Sequence, residues 1–147
     1  MRRNFTVPIY PHLKKFIQKR FQKNGSIDVS ATTSFGKMLM LCLRDNRKTS
    51  EFNDQYRDRL TEEITIELTK EMSELTPRQG KLMRINIYGD NLFKEALLVW
   101  IEAQGEDGIA ALSACKSFLK FYDIDENEYG LLTAYQYWQR SKQKVSS

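Results

Sequence analysis

The sequence predicts an α+β protein, mostly helical, with a small sheet packed on helices and a C-terminal helical hairpin of the helix-turn-helix kind. Three observations carry this. Apolar residues recur at helical spacing in several windows, one segment alternates strictly, and the last two helical windows are joined by a few residues around Asp123, Ile124 and Asp125. The chain has 147 residues, 41% hydrophobic and 12% aromatic, enough for a core and unlike a disordered basic tail. Two subdomains are expected: residues 1–75, small and α+β with a basic N-terminal helix, and residues 76–147, helical.

Asn4 to Tyr10 reads as a strand, with Phe5, Val7 and Ile9 on one face. Pro11 suits the first position of a helix, and Leu13, Phe16, Ile17 and Phe21 then keep helical spacing through Lys23. Asn24-Gly25 stops it, and Ser26 to Val29 forms a second, brief strand. Ser34 to Arg44 is a helix with a wide apolar face: Phe35, Met38, Leu39, Cys42 and Leu43. Asn46 to Asp54 is polar and reads as a loop. Between Leu60 and Leu68, Ile64, Ile66 and Leu68 alternate with Glu63, Thr65 and Glu67, the pattern of a half-buried strand. One sheet is expected from Phe5–Tyr10, Ser26–Val29 and Ile64–Leu68.

Thr76-Pro77-Arg78-Gln79 looks like a helix start, with Thr76 as cap and Gln79 reaching back. The helix is expected to reach about Gln104 despite Gly89. A rival strand at Arg84–Tyr88, suggested by Ile85 and Ile87, is set aside. Gly105 to Gly108 is a turn, and Ile109 to Tyr122 a helix. Asp125, with Glu128 three residues on, is expected to cap a last helix to about Gln143. The core is expected at Phe16, Phe35, Leu39, Ile66, Leu97, Trp100, Leu119 and Trp138.

Charge is segregated along the chain. Arg2, Arg3, Lys14, Lys15, Lys19, Arg20 and Lys23 precede the first acid, Asp28, and Arg140, Lys142 and Lys144 follow the last acid, Glu128. Glu62, Glu63, Glu67, Glu71 and Glu74 make the middle acidic, so the net charge of +4 conceals the polarity. Clustered Lys and Arg are the electrostatic footprint of a polyanion binder, most often of nucleic acid. The same lysines could simply solvate an amphipathic helix.

On the final helix Leu131, Leu132, Tyr135 and Trp138 are expected to supply apolar contacts, while Gln136, Gln139, Arg140 and Gln143 fall at i, i+3, i+4 and i+7, on one polar face. Glutamine can pair with an adenine edge and arginine with guanine or phosphate, as a recognition helix requires. The alternative is an ordinary αα-hairpin with a solvated face. The candidate nucleic-acid-binding residues are therefore Arg2, Arg3, Lys14, Lys15, Lys19 and Lys23 at one end. At the other they are Gln136, Gln139, Arg140, Gln143 and Lys144.

The run Ser117-Phe118-Leu119-Lys120-Phe121-Tyr122-Asp123-Ile124-Asp125-Glu126, with Ala134-Tyr135 and Trp138-Gln139-Arg140, carries a resemblance. This last third of the chain resembles small helix-turn-helix-like proteins of Bacteroidetes phages and mobile elements. The resemblance implies a bacterial or phage origin and a DNA-associated role, and it supplies no catalytic residues.

Several chemistries find no motif. His12 is the single histidine, so no histidine pair exists within one chain. Cys42 and Cys115 sit far apart in apolar helical patterns and read as buried reduced thiols. No phosphate-cradling glycine loop is present, and the acidic residues 62–74 read as a solvated face rather than metal ligands. Leu92 to Ile101, the longest apolar run, is too short and is interrupted by Lys94 and Glu95, so no bilayer span is expected. The N-terminus lacks the apolar stretch of a signal peptide. The expectation is a non-enzymatic DNA-binding accessory or regulatory protein in the bacterial cytoplasm, without cofactor or metal and without membrane association. Duplex DNA is its favoured partner, and homo-oligomers are open. The alternatives are a phage assembly or adaptor protein that uses its charged faces for association, and a small enzyme.

Overall fold

The computed structural model describes residues 4–23, 26–30, 32–44, 59–69 and 79–145. Among them the fold is the mostly helical α+β arrangement the periodicity predicts. In chain order the elements are β1 (Asn4–Ile9), α1 (Pro11–Phe21), β2 (Gln22–Lys23), β3 (Ser26–Ile27), α2 (Ser34–Arg44), β4 (Glu62–Glu67), α3 (Gln79–Glu106), α4 (Ala111–Phe121) and α5 (Leu131–Val145). The expected loop at 46–54 and the Thr76 cap lie outside the described residues. The segment Arg84–Tyr88 is helical, part of α3.

Two compact units divide the chain, Met1–Asn91 and Leu92–Ser147. The division falls inside α3, not at the expected junction of residues 75 and 76. The reason is local: Asn86, Gly89 and Asp90 of α3 face β1 and α1, so this part of the helix belongs with the first unit.

In the first unit β1 pairs antiparallel with β4, Val7 opposite Ile64 and Thr6 opposite Thr65. Alternation puts Val7, Ile9, Ile64 and Ile66 in the core and leaves Thr6, Glu63 and Thr65 exposed. The expected three-stranded sheet is not formed. Ser26–Ile27 pairs with Gln22–Lys23 instead, in a separate hairpin at the end of α1. The hairpin is local, and the Asp28 N–H closes it on the Phe21 carbonyl at 2.7 Å. Helix α1 begins at Pro11, whose missing N–H costs nothing in a first turn. It buries Leu13, Phe16, Ile17 and Phe21. The Phe21 ring stacks on Phe35 of α2, with centroids 5.5 Å apart.

In the second unit the core holds Phe93, Leu97 and Ile101 of α3, Ala114, Cys115, Phe118 and Leu119 of α4 and Ala134 of α5, with the Phe93 and Phe118 rings 5.4 Å apart. Helix α3 closes through Gly108 at φ 81, which lets the Ile109 N–H reach the Gln104 carbonyl. Helix α4 closes in the same manner through Asp123 at φ 59, with the Ile124 N–H on the Leu119 carbonyl. Two expected core residues, Trp100 and Trp138, are only half-buried. Each indole keeps a polar neighbour: Trp100 Nε1 donates to Ser117 Oγ at 3.0 Å, and Lys142 Nζ lies 4.8 Å from the Trp138 ring centre.

The last helix starts at Leu131, later than the expected Asp125 cap. Glu128 does accept the Asp125 N–H, at 2.8 Å, but the pair closes a separate single turn over 126–128. The segment between α4 and α5 is therefore longer than the three or four residues of common helix-turn-helix units. Gly130 cannot cap α5 with a side chain, and Glu126 Oε2 takes the Leu131 N–H at 3.0 Å instead. A carboxylate there also meets the positive end of the helix. Glu126→Ala is expected to cost about 1 kcal/mol, the usual value of an N-terminal cap. Urea unfolding followed by circular dichroism checks it, and an unchanged midpoint would show that water caps α5 equally well.

Candidate nucleic-acid interface

On α5 the order of exposure follows the 3.6-residue turn. Ala134 is fully buried, and Ser141, Tyr137 and Trp138 are half-buried around it. Gln136, Gln139 and Gln143 lie opposite, exposed, with Arg140 exposed beside them. Leu132, expected among the apolar contacts, instead begins the same face and is 62% exposed, because the helical turn carries it round to the stripe. Four long donor side chains thus share one solvent-facing stripe, anchored from behind by the core of the second unit. Lys144 belongs to α5 as well. Along the flank, Tyr135 stacks on Trp138 with centroids 5.7 Å apart, and Lys94 of α3 sits 5.2 Å from the Tyr137 ring centre.

The N-terminal basic residues are arranged differently. Arg2 and Arg3 lie outside the described residues, and Lys23 falls in β2. On α1, Lys19 is exposed while Lys14 and Lys15 are half-buried. Lys14 is not uncompensated, as the absence of early acids suggested. Its Nζ lies 3.2 Å from Glu62 Oε2 on β4. The antiparallel pairing brings Ile9, just ahead of α1, opposite Glu62, so residues far apart in sequence meet here. The ion pair is partly exposed and contributes little to stability, but it neutralises one lysine of the patch. Arg20 extends over the Phe16 ring, 6.0 Å from its centre.

Sequence reasoning missed a further basic face in the first unit. Ser34, Lys37, Leu41 and Arg44 project from successive turns of α2 and are all exposed, Leu41 to 69%. No acid lies in this helix. The signal was present as the i, i+3, i+7, i+10 spacing of residues outside the apolar face.

His12 has a structural place. It is buried, its ring stacks on Tyr10 at 5.8 Å, and Nε2 lies 3.0 Å from Asp90 Oδ1 on α3. Beside it the fully buried Asn86 accepts the Tyr10 N–H at 3.2 Å and donates to the Pro8 carbonyl at 2.8 Å. Both cysteines are buried free thiols. Burial pushes Cys42 up to about 11 against the opposing charge of Arg84, and burial also raises Cys115, so both stay protonated at neutral pH. Among the described residues no three His, Cys, Asp or Glu side chains gather as metal ligands, and no helix is long and apolar enough to cross a membrane.

No protein-family model matches this chain, and no curated protein or solved structure is significantly similar to it.

Proposed function

We propose that this chain is a non-enzymatic nucleic-acid-binding protein, with duplex DNA as its partner, serving an accessory or regulatory role. The solvent-facing stripe of Gln136, Gln139, Arg140 and Gln143 carries the reading. Long amide and guanidinium donors held on a rigid helix suit base edges and phosphates. The resemblance of the C-terminal third adds a bacterial phage or mobile-element setting. In this mechanism α5 approaches a groove, and Lys15 and Lys19 contact phosphates.

The two surfaces then act differently. Changing Lys15 and Lys19 together to Ala is expected to weaken binding to all duplexes alike. It should also lower the dependence of log affinity on log salt by about one unit for each phosphate left without its lysine. Gln139→Ala or Arg140→Ala is expected to cost roughly 1–3 kcal/mol on a selected site and less on a scrambled one. Salt titrations of wild type and variants on both duplexes make the measurement. If wild type binds neither duplex at low salt, DNA is not the partner. Equal binding to both, unchanged in ratio by any variant, would remove the recognition role of α5 and leave only the basic patch.

The exposed Leu132 within the stripe favours a second reading, association with protein, as an assembly or adaptor factor would require. Light scattering on the same samples separates the two readings. Assembly without DNA binding selects the second.

A further inference from the structure

Between α3 and α5 the second unit holds a groove of about 530 Å³. This is within the usual size of a small-molecule site, about 300–1,000 Å³. Leu98, Ile101 and Ile109 give it apolar walls, with the Trp138 indole on the α5 side. Polar groups stand around this apolar body: Glu102, Ser141 and Lys142. Glu102 and Lys142 are exposed, one acceptor and one cation. Gly105 lines the groove too, and a Cβ built there meets nothing within 4 Å.

We propose that this groove binds a nucleotide carrying an exocyclic amino group. The flat, weakly hydrated faces of a base fit the apolar walls. A carboxylate accepts from an exocyclic amine, the pairing by which acidic side chains read cytosine. Lys142 supplies the charge for the phosphate, and Ser141 can hydrogen-bond the sugar. The charges of lining and ligand are then complementary. The nucleotide is either a free monophosphate or the unpaired residue of a single strand, since the recognised chemistry is the same. This site does not depend on the duplex reading: its α5 residues, Trp138, Ser141 and Lys142, lie on the face of the helix turned away from the Gln136–Gln143 stripe, and its occupation needs no double helix.

Calorimetric titration of the full chain with CMP, AMP and UMP tests the proposal, alongside a short single-stranded oligonucleotide of cytidines. CMP and AMP are expected to bind at one site, more tightly than UMP. Gly105→Leu places a bulky side chain among the lining residues without straining the helix, since Leu is a better helix former than Gly. It is expected to weaken CMP binding by about ten-fold or more while the thermal melt stays cooperative. Glu102→Gln is expected to erase the preference for CMP over UMP, and Lys142→Gln to weaken all three monophosphates. Tighter binding of the oligonucleotide than of CMP, also lost in Gly105→Leu, assigns the source to a single strand, and equal binding assigns it to free nucleotide. The proposal is overturned if no nucleotide binds, or if binding survives Gly105→Leu unchanged. Uptake of the dye anilinonaphthalene sulfonate without any nucleotide binding would likewise overturn it, assigning the groove to apolar acids.

Discussion

Gly36→Ala is expected to destabilise the protein by roughly 3–5 kcal/mol, at the upper end of what one substitution does. Gly36 lies in the first turn of α2, fully covered by the chain that leads into the helix. A Cβ there would overlap the Ser30 carbonyl oxygen and stand 2.6 Å from that of Val29. Both are backbone atoms, so no rotamer change relieves the contact. The covering segment is itself fixed. Asp28 Oδ1 accepts the Ser30 N–H at 2.9 Å, Thr33 Oγ1 donates to the Ser30 carbonyl at 3.0 Å, and the same hydroxyl caps α2 by accepting the Gly36 N–H at 2.9 Å. Moving the segment breaks the cap, and moving α2 disturbs Phe35 and Leu39, both fully buried. Alanine's higher helix propensity returns only about 1 kcal/mol. Gly105→Ala is the control, because its Cβ enters open space and the propensity gain stands alone. Denaturant titration of the two variants should move in opposite directions. A Gly36→Ala midpoint within error of wild type would show that the 28–33 segment can retreat freely.

Which features were legible from sequence follows from the range of the interactions that make them. Helix α2 is found with its observed ends because its signal lies within its own turns: Phe35, Leu39, Cys42 and Leu43 inward, Lys37, Leu41 and Arg44 outward. Strand β4 is found because Ile64 and Ile66 alternate with exposed neighbours. The helical reading of 84–88 holds because the segment continues through Gly89, whose face of α3 lies against Leu13 and Ile17 of α1 at a distance that even a Cβ would fit. What fails is the choice of partner, which periodicity does not encode. The Ser26–Ile27 strand is correctly extended but pairs with its own neighbour, a choice that β propensity does not encode. The last helix begins late because Glu126, not Asp125, reaches its first N–H. For the candidate interface, the α5 stripe was legible from local spacing, whereas the pairing of Lys14 with Glu62 was not. The two lie on different elements, and only strand register brings them together.

Asn86 is the clearest case of a residue that sequence could not single out, and its replacement is the other large effect expected. It sits in α3 between Ile85 and the exposed Ile87, where a polar residue suggests an outer face. Instead its side chain is fully buried at the end of β1. The Pro8 carbonyl and the Tyr10 N–H point to the same side of an extended chain, as groups two residues apart do. The Asn86 amide answers both, donating to the first and accepting from the second, as the peptide group of a neighbouring strand would. Asn86→Ala removes this partner from two part-buried backbone groups, at about 1–3 kcal/mol for each group. A total of roughly 3 kcal/mol is expected from urea unfolding. Asn86→Asp separates the two bonds. The ionised carboxylate still accepts from Tyr10 but opposes the Pro8 carbonyl, whereas the protonated acid regains a donor. The folded state then favours the proton, so the carboxyl pKa is raised above its unfolded value. The variant's deficit should accordingly be smallest at acidic pH and grow as pH rises through the unfolded pKa, levelling off above the folded one, while the Asn86→Ala deficit stays flat. If Asn86→Asp loses the same stability at every pH, the donor bond to Pro8 contributes nothing, and the role of Asn86 reduces to filling space.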